Sequence, residues 1–370
     1  MRKFFSMILL VAALASAAAR GSEALTVAAK GAALIDGASG RMLFGQNENE
    51  MLPEASCTKI MTALLALEHS ALDEEVTAGK NAHGVTGTSI YLSEGETLTM
   101  EQMLYGLMLR SGNDAAVAIA EHVAGSVSAF AEMANARAAE LDADARFVNP
   151  HGLDAEGHAA SALGLARIMR EAMKNPDFRT ITATERKIIP WVGNEYSRVL
   201  ENKNRLLHSY EGATGGKTGY TSKAGRCLVF SAKREGLELI GCVLNCYTWF
   251  DTAAVMLDYG FENFRMEQAL ERGQVAAQIT VLDGERANVD AIAAEPLAAA
   301  VEIGAKVSVE IDAGPLTAPV QKGQNVGVAR LICNGKTVAS CPLSAATQVQ
   351  AWSISAAIRS VLRRWALQFA

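Results

Sequence analysis

The spacing of apolar and polar positions changes several times along the chain. Residues 29–34 and 41–45 are apolar runs on either side of Asp36-Gly37-Ala38-Ser39-Gly40, which reads as strand, turn, strand. From Pro53 the period lengthens to that of an amphipathic helix reaching about Glu68. Residues 80–99 are polar and glycine-rich and predict loop with short extended pieces. A second helix is expected over 99–109, where Thr99 and Gln102 have the spacing of a capping box. Its Met100, Met103, Leu104, Leu107 and Met108 share one face, a stripe that suits a core. The helix stops at Arg110-Ser111-Gly112-Asn113-Asp114, and another begins at once over 115–124. Gly112 is expected to close the first in the left-handed conformation, and Asn113 or Asp114 to cap the second.

Further helices are predicted over 128–141 and 161–173, with a turn-rich segment at 147–154 between them and a strand at 188–192. Residues 226–232 and 237–246 form a hairpin. With a four-residue turn, Cys227 faces Cys242, as a disulfide or as two reduced core thiols. A helix over 249–259 closes the first domain near Phe264. Strands before residue 46 and after residue 210 thus bracket a helical block, which implies one sheet built from distant parts of the chain. Over 270–345 short alternating runs are separated by Asp-Gly, Ala-Gly and Asn-Gly turns, the texture of a small all-β domain. Asn334-Gly335 predicts a type I′ hairpin in whose register Cys333 does not face Cys341, so no disulfide joins them. In 351–370, Ile354, Ala357, Ile358, Val361, Leu362, Trp365 and Phe369 share one side, and Arg359, Arg363 and Arg364 lie mostly opposite. Such a basic amphipathic helix lies in a membrane interface rather than spanning it; the other reading is a helix packed on the β domain or on a partner.

Composition narrows the classes. A length of 370 residues suits two domains, and 50% hydrophobic with 20% charged residues suits a large core. A formal charge of −6 argues against nucleic-acid binding. None of the six cysteines forms a Cys-x-x-Cys pair, which leaves zinc and thioredoxin-like readings without support. His151 and His158 are too few and too separate for a metal site and read as hydrogen-bonded structural groups. At the N-terminus, Arg2 and Lys3 precede an apolar run over 4–14 and the small-residue site Ala15-Ser16-Ala17, with alternatives through Ala24. This is the layout of a secretory signal peptide over 1–24; an uncleaved anchor is the alternative. Either places the working chain outside the cytoplasm.

The candidate chemistry begins at Ser56-Cys57-Thr58-Lys59. Ser56 and Lys59 are three apart and so share a helix face, where a lysine amine can serve a serine hydroxyl as base without histidine. Taken alone, the pair also fits a helix cap and a solvated charge. Ser111 and Asn113 would project from a tight interhelix turn. The run Gly215-Gly216-Lys217-Thr218-Gly219 ends like a phosphate-binding loop, but its first glycine would fall at Glu211 and no helix follows, which rejects that reading. Ser56-x-x-Lys59, Ser111-Gly112-Asn113 and Lys217-Thr218-Gly219 occur once each and in that order.

On these motifs the sequence resembles the penicillin-recognising serine enzymes, and most of all the low-molecular-mass penicillin-binding proteins that are D-alanyl-D-alanine carboxypeptidases. The resemblance covers residues 29–343 and extends to Pro-x-Ala-Ser-x-Thr-Lys-x-Met-Thr, Leu-x-Ser-Gly-Asn-Asp-Ala-Ala, Asn-Pro-His-Gly-Leu-x-x-x-x-His and Lys-Thr-Gly-Tyr-Thr. It implies an α+β catalytic domain over 25–264, an antiparallel sheet flanked by helices with a helical subdomain. An all-β domain over 265–347 and an amphipathic helix over 348–370 follow. By the same resemblance Ser56 attacks the D-Ala-D-Ala bond, a neutral Lys59 takes its proton, and Ser111 passes a proton to the leaving D-alanine. Asn113 binds the acyl-side amide, and Lys217 and Thr218 hold the terminal carboxylate. Gly219 admits the substrate along the strand edge, and the backbone N–H groups of Ser56 and Tyr220 form the oxyanion hole. No cofactor or metal is implied. The implied partners are the peptidoglycan stem peptide, β-lactam inhibitors and, through 351–370, the outer face of the cytoplasmic membrane.

A β-lactamase would carry a deacylating Glu-x-x-Leu-Asn loop, which the chain lacks. A D,D-endopeptidase uses the same acyl chemistry, and a non-hydrolytic penicillin sensor has no need of the intact polar set. One departure is Gly164, where the family commonly has Asp; a local cap or polar contact is expected to be lost there. Cys57 is expected to point away from Lys59 and to serve packing.

Overall fold

The computed structural model describes residues 25–353 and residue 358; the expected export segment and nearly all of the expected terminal helix lie outside the described residues. The chain opens with β1 (Gly31–Asp36) and β2 (Met42–Gln46). Buried Asp36 builds the turn between them by accepting from the backbone N–H groups of Ala38 and Ser39, both at 3.1 Å. A 3₁₀ turn, Ala55–Thr58, leads into α1 (Lys59–His69), an Ala- and Leu-rich segment whose first eight residues are all buried. Then come β3 (Glu75–Thr77), β4 (Thr97–Thr99) and α2 (Met100–Tyr105), which starts from the reciprocal Thr99–Gln102 capping box. A π-helical turn over Gly106–Arg110 separates α2 from α3 (Asn113–Ala124). The helical block continues through α4 (Val127–Glu140), the short pair β5 (Ala145–Arg146) and β6 (Ala159–Ala160), α5 (Ala162–Ala172) and α6 (Pro176–Ala183). The hairpin β7 (Arg186–Ile189) and β8 (Arg198–Glu201) and the single turn α7 (Leu206–Ser209) precede three long strands, β9 (Ala213–Thr221), β10 (Gly225–Arg234) and β11 (Leu237–Leu244). Helix α8 (Trp249–Asn263) follows.

The central sheet is antiparallel with order β2-β1-β11-β10-β9, so β1 pairs with a strand some 200 residues later, Leu34 opposite Gly241. Period-two alternation sends Ala33 and Ile35 into the core shared with the helical block, and Ala32 and Leu34 into the core shared with α8. Both faces being covered explains why β1 reads as one unbroken apolar run. Strand β9 is the last in the order, and its outer edge faces the helical block rather than another strand.

The all-β domain comprises β12 (Phe264–Leu270), β13 (Val275–Leu282), β14 (Asn288–Ala293), β15 (Leu297–Glu302), β16 (Val307–Asp312), β17 (Leu316–Thr317), β18 (Asn325–Cys333) and β19 (Lys336–Ala345). Its main sheet has order β16-β18-β19-β14-β13-β17, and the β12–β15 pair packs on it around Leu297, Ala299, Leu331 and Leu343. The catalytic part is tied to it through the β1–β2 turn: Ala300 N–H donates to Asp36 (2.9 Å), and Arg41 reaches Ala300 O (2.9 Å) and Glu302 (2.5 Å).

Four local expectations need correction. The β10–β11 turn has two residues, not four: Glu235 and Gly236 both take positive φ (47° and 84°), the I′ geometry, and Arg234 pairs with Leu237. The register therefore shifts, Cys242 faces Val229, and the six described cysteines are free thiols. The strand expected over 188–192 ends at Ile189, ahead of Pro190. The terminal helix does not begin at Ala351, which bridges to Gly284, and Trp352 N–H donates to Asp283 O at 2.7 Å, continuing the β domain. At Gly164 the helix cap is kept. Ser161 caps α5 by accepting from Gly164 N–H (2.9 Å), and a Cβ at 164 would lie 2.7 Å from Asp144 O, so the backbone leading out of α4 fills the space.

Candidate active site

Ser56 sits in the 3₁₀ turn ahead of α1, half-buried between buried neighbours. Ala55, immediately before it, holds φ +50°, a conformation that costs a non-glycine residue energy and persists only when its surroundings enforce it. Those surroundings are specific. His158 Nδ1 accepts from Val148 N–H (2.9 Å), so its proton is on Nε2, which faces Glu54 Oε1 and Thr58 Oγ1, each at 2.9 Å. Thr58 Oγ1 is also 2.9 Å from both Glu54 Oε1 and Ala55 O, so this cluster clasps the turn from below. Gly152 (φ +85°) presses on it from the side; a Cβ there would lie 1.9 Å from Ala55 O, which only glycine avoids.

Lys59 is fully buried. Its Nζ lies 2.6 Å from His151 O, 2.7 Å from Asn113 Oδ1 and 3.0 Å from Ser56 Oγ. Burial, reinforced by the charge of Lys217, holds its pKa well below that of a free lysine. A neutral amine has two N–H bonds and one lone pair. His151 O accepts only and Asn113 presents its oxygen, so in the neutral form these two take both N–H bonds and the lone pair is left for the Ser56 hydroxyl; in the charged form Nζ donates to all three. The Asn113 orientation is fixed independently, since its Nδ2 donates to Thr86 O at 2.7 Å.

Asn113 is in turn placed by the loop of residues 86–92. Its backbone N–H donates to Thr88 O (2.7 Å). Asp114 accepts from Ser89 Oγ (2.6 Å) and from the N–H groups of Ile90 (3.1 Å) and Leu92 (2.9 Å). Buried Arg198 grips the same loop, donating to Ile90 O (2.6 Å) and Tyr91 O (3.0 Å) and forming a two-pronged pair with Glu96 at 2.6 and 2.8 Å. The interhelix turn differs from expectation. Ser111, not Gly112, is left-handed (φ 66°), and the N-cap of α3 is Gly112, which has no side chain to cap with; Asn113 and Asp114, the expected caps, lie inside the helix and are engaged with the loop. Ser111 is buried and its hydroxyl makes no hydrogen bond among the described residues, unlike Asn113.

Lys217, Thr218, Gly219 and Tyr220 lie on β9. Lys217 is buried, donates to Thr218 O (2.8 Å) and has its pKa lowered to about 7, chiefly by burial. Gly219 packs directly on the Ser56 turn: a Cβ there would lie 3.0 Å from Ser56 N and 2.7 Å from Glu54 O. Beneath them Cys57, whose thiol burial raises well above its usual range, contacts Lys217 O through Sγ at 3.5 Å. The Tyr220 side chain is largely exposed.

The structure thus joins Ser56, Lys59 and Asn113 by direct contact and lays β9 against the same turn. Sequence reasoning missed the His151 carbonyl as a Lys59 partner, the Thr86 and Thr88 carbonyls, and the Glu54–Thr58–His158 cluster. The Asn-Pro-His-Gly-Leu-x-x-x-x-His pattern marked this region, but its backbone carbonyl carries no residue-type signal. Among the described residues no group of three metal-binding side chains occurs.

With this geometry in hand, comparison with known proteins gives a consistent family. Residues 17–248 match the D-alanyl-D-alanine carboxypeptidase family model, and residues 264–351 match the C-terminal domain of penicillin-binding protein 5. D-alanyl-D-alanine carboxypeptidase DacF of Bacillus subtilis is 35% identical over 86% of this chain and 85% of its own. DacC of Escherichia coli is 31% identical over 91% and 88%. The crystal structure of penicillin-binding protein 5 from Haemophilus influenzae superposes with a TM-score of 0.77 at 28% identity, covering 88% of this chain and 98% of that one.

Proposed function

Because the chain belongs to the D-alanyl-D-alanine carboxypeptidase family, we propose that it is a serine-type hydrolase removing the terminal D-alanine from peptidoglycan stem pentapeptides through an acyl-enzyme on Ser56. One observation carries the assignment of roles: the buried Lys59 amine lies 3.0 Å from Ser56 Oγ with its N–H bonds directed to Asn113 and His151. Ser56 Oγ attacks the penultimate carbonyl as Lys59 takes its proton. The N–H groups of Ser56 and Tyr220 receive the developing oxyanion. Ser111, with its hydroxyl uncommitted, passes a proton to the departing D-alanine amine. Asn113 holds the acyl-side amide, and Lys217 and Thr218 hold the free carboxylate. Gly219 lets the peptide lie along the outer edge of β9 as an added strand. Water then releases the acyl group. A β-lactam meets the same hydroxyl and lysine and acylates Ser56.

The test is D-alanine release from a free pentapeptide, with a cross-linked muropeptide alongside, as a function of pH. Release from the free pentapeptide and little from the cross-link is expected, because Lys217 and Thr218 require a terminal carboxylate. Equal cleavage of both would assign the chain to endopeptidases. At low pH the rate falls as Lys59 gains a proton. Above pH about 7 free Lys217 loses its charge, so KM rises by up to roughly tenfold per pH unit. A bound carboxylate favours charged Lys217, which puts the alkaline limb of kcat at higher pH than that of kcat/KM. A KM flat from pH 6 to 9 would remove Lys217 from carboxylate binding.

Peptidoglycan lies outside the cytoplasmic membrane, and the enzyme works there. Export through the segment over 1–24 and retention at the outer membrane face through the basic amphipathic tail fit that location. Among the described residues no helix is long and apolar enough to cross a membrane. Since residues 351–352 belong to the β domain, the tail is tested by deleting residues 354–370. The full mature chain should float with anionic liposomes and the truncated chain should not; equal flotation would refute the anchor.

A further inference from the structure

Beyond the cleft floor, β9 and β10 continue past the point where Gly219 meets Ser56. Tyr220 stands opposite Arg226 in this pair, so their side chains share a face. Together with Asn245, Tyr247 and Trp249 they line an open cavity of about 410 Å³. Arg226 is held in it as a displayed cation. Its backbone is fixed on two sides, by Tyr220 on β9 and by Cys246 N–H, which donates to Arg226 O at 2.8 Å. Its guanidinium lies 4.5 Å over the Tyr247 ring and 5.9 Å from that of Trp249, and Nη1 donates to Tyr247 O (2.9 Å). No carboxylate pairs with it among the described residues, although the chain forms many other Arg–carboxylate pairs. Gly225 (φ +67°) clears the floor, since a Cβ there would lie 2.7 Å from Asn245 Oδ1. Two aromatic faces and one backbone bond thus hold an exposed guanidinium that lines the cavity beside an exposed amide.

Direction supplies the occupant. On the reading that Lys217 and Thr218 hold the terminal carboxylate and Ser56 the scissile carbonyl, the peptide runs antiparallel to β9, and its upstream residues pass Tyr220 and Thr221. We propose that this cavity is a subsite for an acidic side chain upstream of the scissile bond, with Arg226 and Asn245 receiving the carboxylate and Tyr220, Tyr247 and Trp249 packing its aliphatic stem. The subsite makes the enzyme selective for stem peptides whose third residue bears a side-chain carboxylate.

The test uses the full mature chain and two pentapeptides that differ only in whether the third side chain ends in a carboxylate or in hydrogen. Each is measured twice: as a source of D-alanine, and as a competitor of acylation by a fluorescent penicillin. The wild type should favour the carboxylate peptide by roughly 10- to 100-fold in both, the range of a charge-assisted pair. In Arg226→Gln that ratio should collapse toward one, and in Arg226→Lys it should be partly kept. A wild-type ratio near one overturns the subsite, as does a ratio that Arg226→Gln leaves intact. The wild-type comparison decides the matter even if a variant does not fold. Competition that discriminates between the peptides with no D-alanine released from either would keep the subsite and reject the carboxypeptidase reading. Release from both at equal efficiency would do the reverse.

Discussion

Ser56→Ala is expected to abolish covalent labelling by a fluorescent penicillin and to lower D-alanine release by roughly 10⁴-fold or more, the scale seen when a nucleophile is removed from a covalent mechanism. Oxygen removal is a small structural change here. Ser56 is half-buried, and among the described residues only the Lys59 amine hydrogen-bonds to its hydroxyl. The turn itself is held by Glu54, Thr58 and His158, which the variant leaves in place. Folding should therefore survive and activity should not. Residual turnover should resemble that of a site that binds and polarises the peptide without acylating. An adduct of normal mass on Ser56→Ala, mapped by mass spectrometry, would move the nucleophile elsewhere and dismantle the mechanism.

Lys59→Arg is expected to slow acylation by roughly 10²–10⁴-fold, the usual contribution of a general base. Arginine keeps the charge and the donors but never yields a free lone pair in the accessible pH range. The substitution thus separates two roles. If Lys59 acted only as a fixed cation, Arg would retain much of the rate and pH would matter little. If it acts as a base, the rate is lost and raising the pH does not restore it. Lys59→Gln supplies the complementary case. Its amide can donate to Asn113 or His151, limiting the roughly 1–3 kcal/mol cost of an unpaired buried acceptor, yet it takes no proton from Ser56. Stopped-flow acylation of both variants from pH 6 to 10 reads the difference. A rate in either variant within tenfold of the wild type would exclude Lys59 as the base.

The site was legible in the sequence where side-chain identity carries the chemistry. Ser56, Lys59, Asn113 and Lys217 are visible because helix spacing and strand position fix their directions, and order along the chain fixes their combination. The fold was legible for a related reason. β1 is apolar at successive positions because both its faces are covered, and the capping box at Thr99 follows from two residue types at one spacing. What the sequence hid was set by backbone. Nothing in the identity of residue 151 announces that its carbonyl accepts from Lys59. The left-handed residue at the interhelix turn is Ser111 because Gly112 must hold the start of α3 while Asn113 and Asp114 answer to the 86–92 loop, a tertiary demand that overrides local preference. The hairpin register failed on turn length, and a two-residue change moved Cys242 from Cys227 to Val229. At Gly164 the family pattern suggested a lost contact, whereas the carbonyl of Asp144 occupies the space.

Cys57 gives the molecule an internal reporter. Its thiol is sealed between the Ser56 turn and β9, is kept protonated by burial and sits 3.5 Å from Lys217 O. Thiolate is the form that alkylating reagents attack, so in the closed protein this cysteine is silent. Opening of β9 away from the Ser56 turn exposes it. The rate of Cys57 alkylation, followed by mass spectrometry with and without an acylating penicillin, therefore times the breathing of the cleft floor and measures how firmly an acyl group latches it.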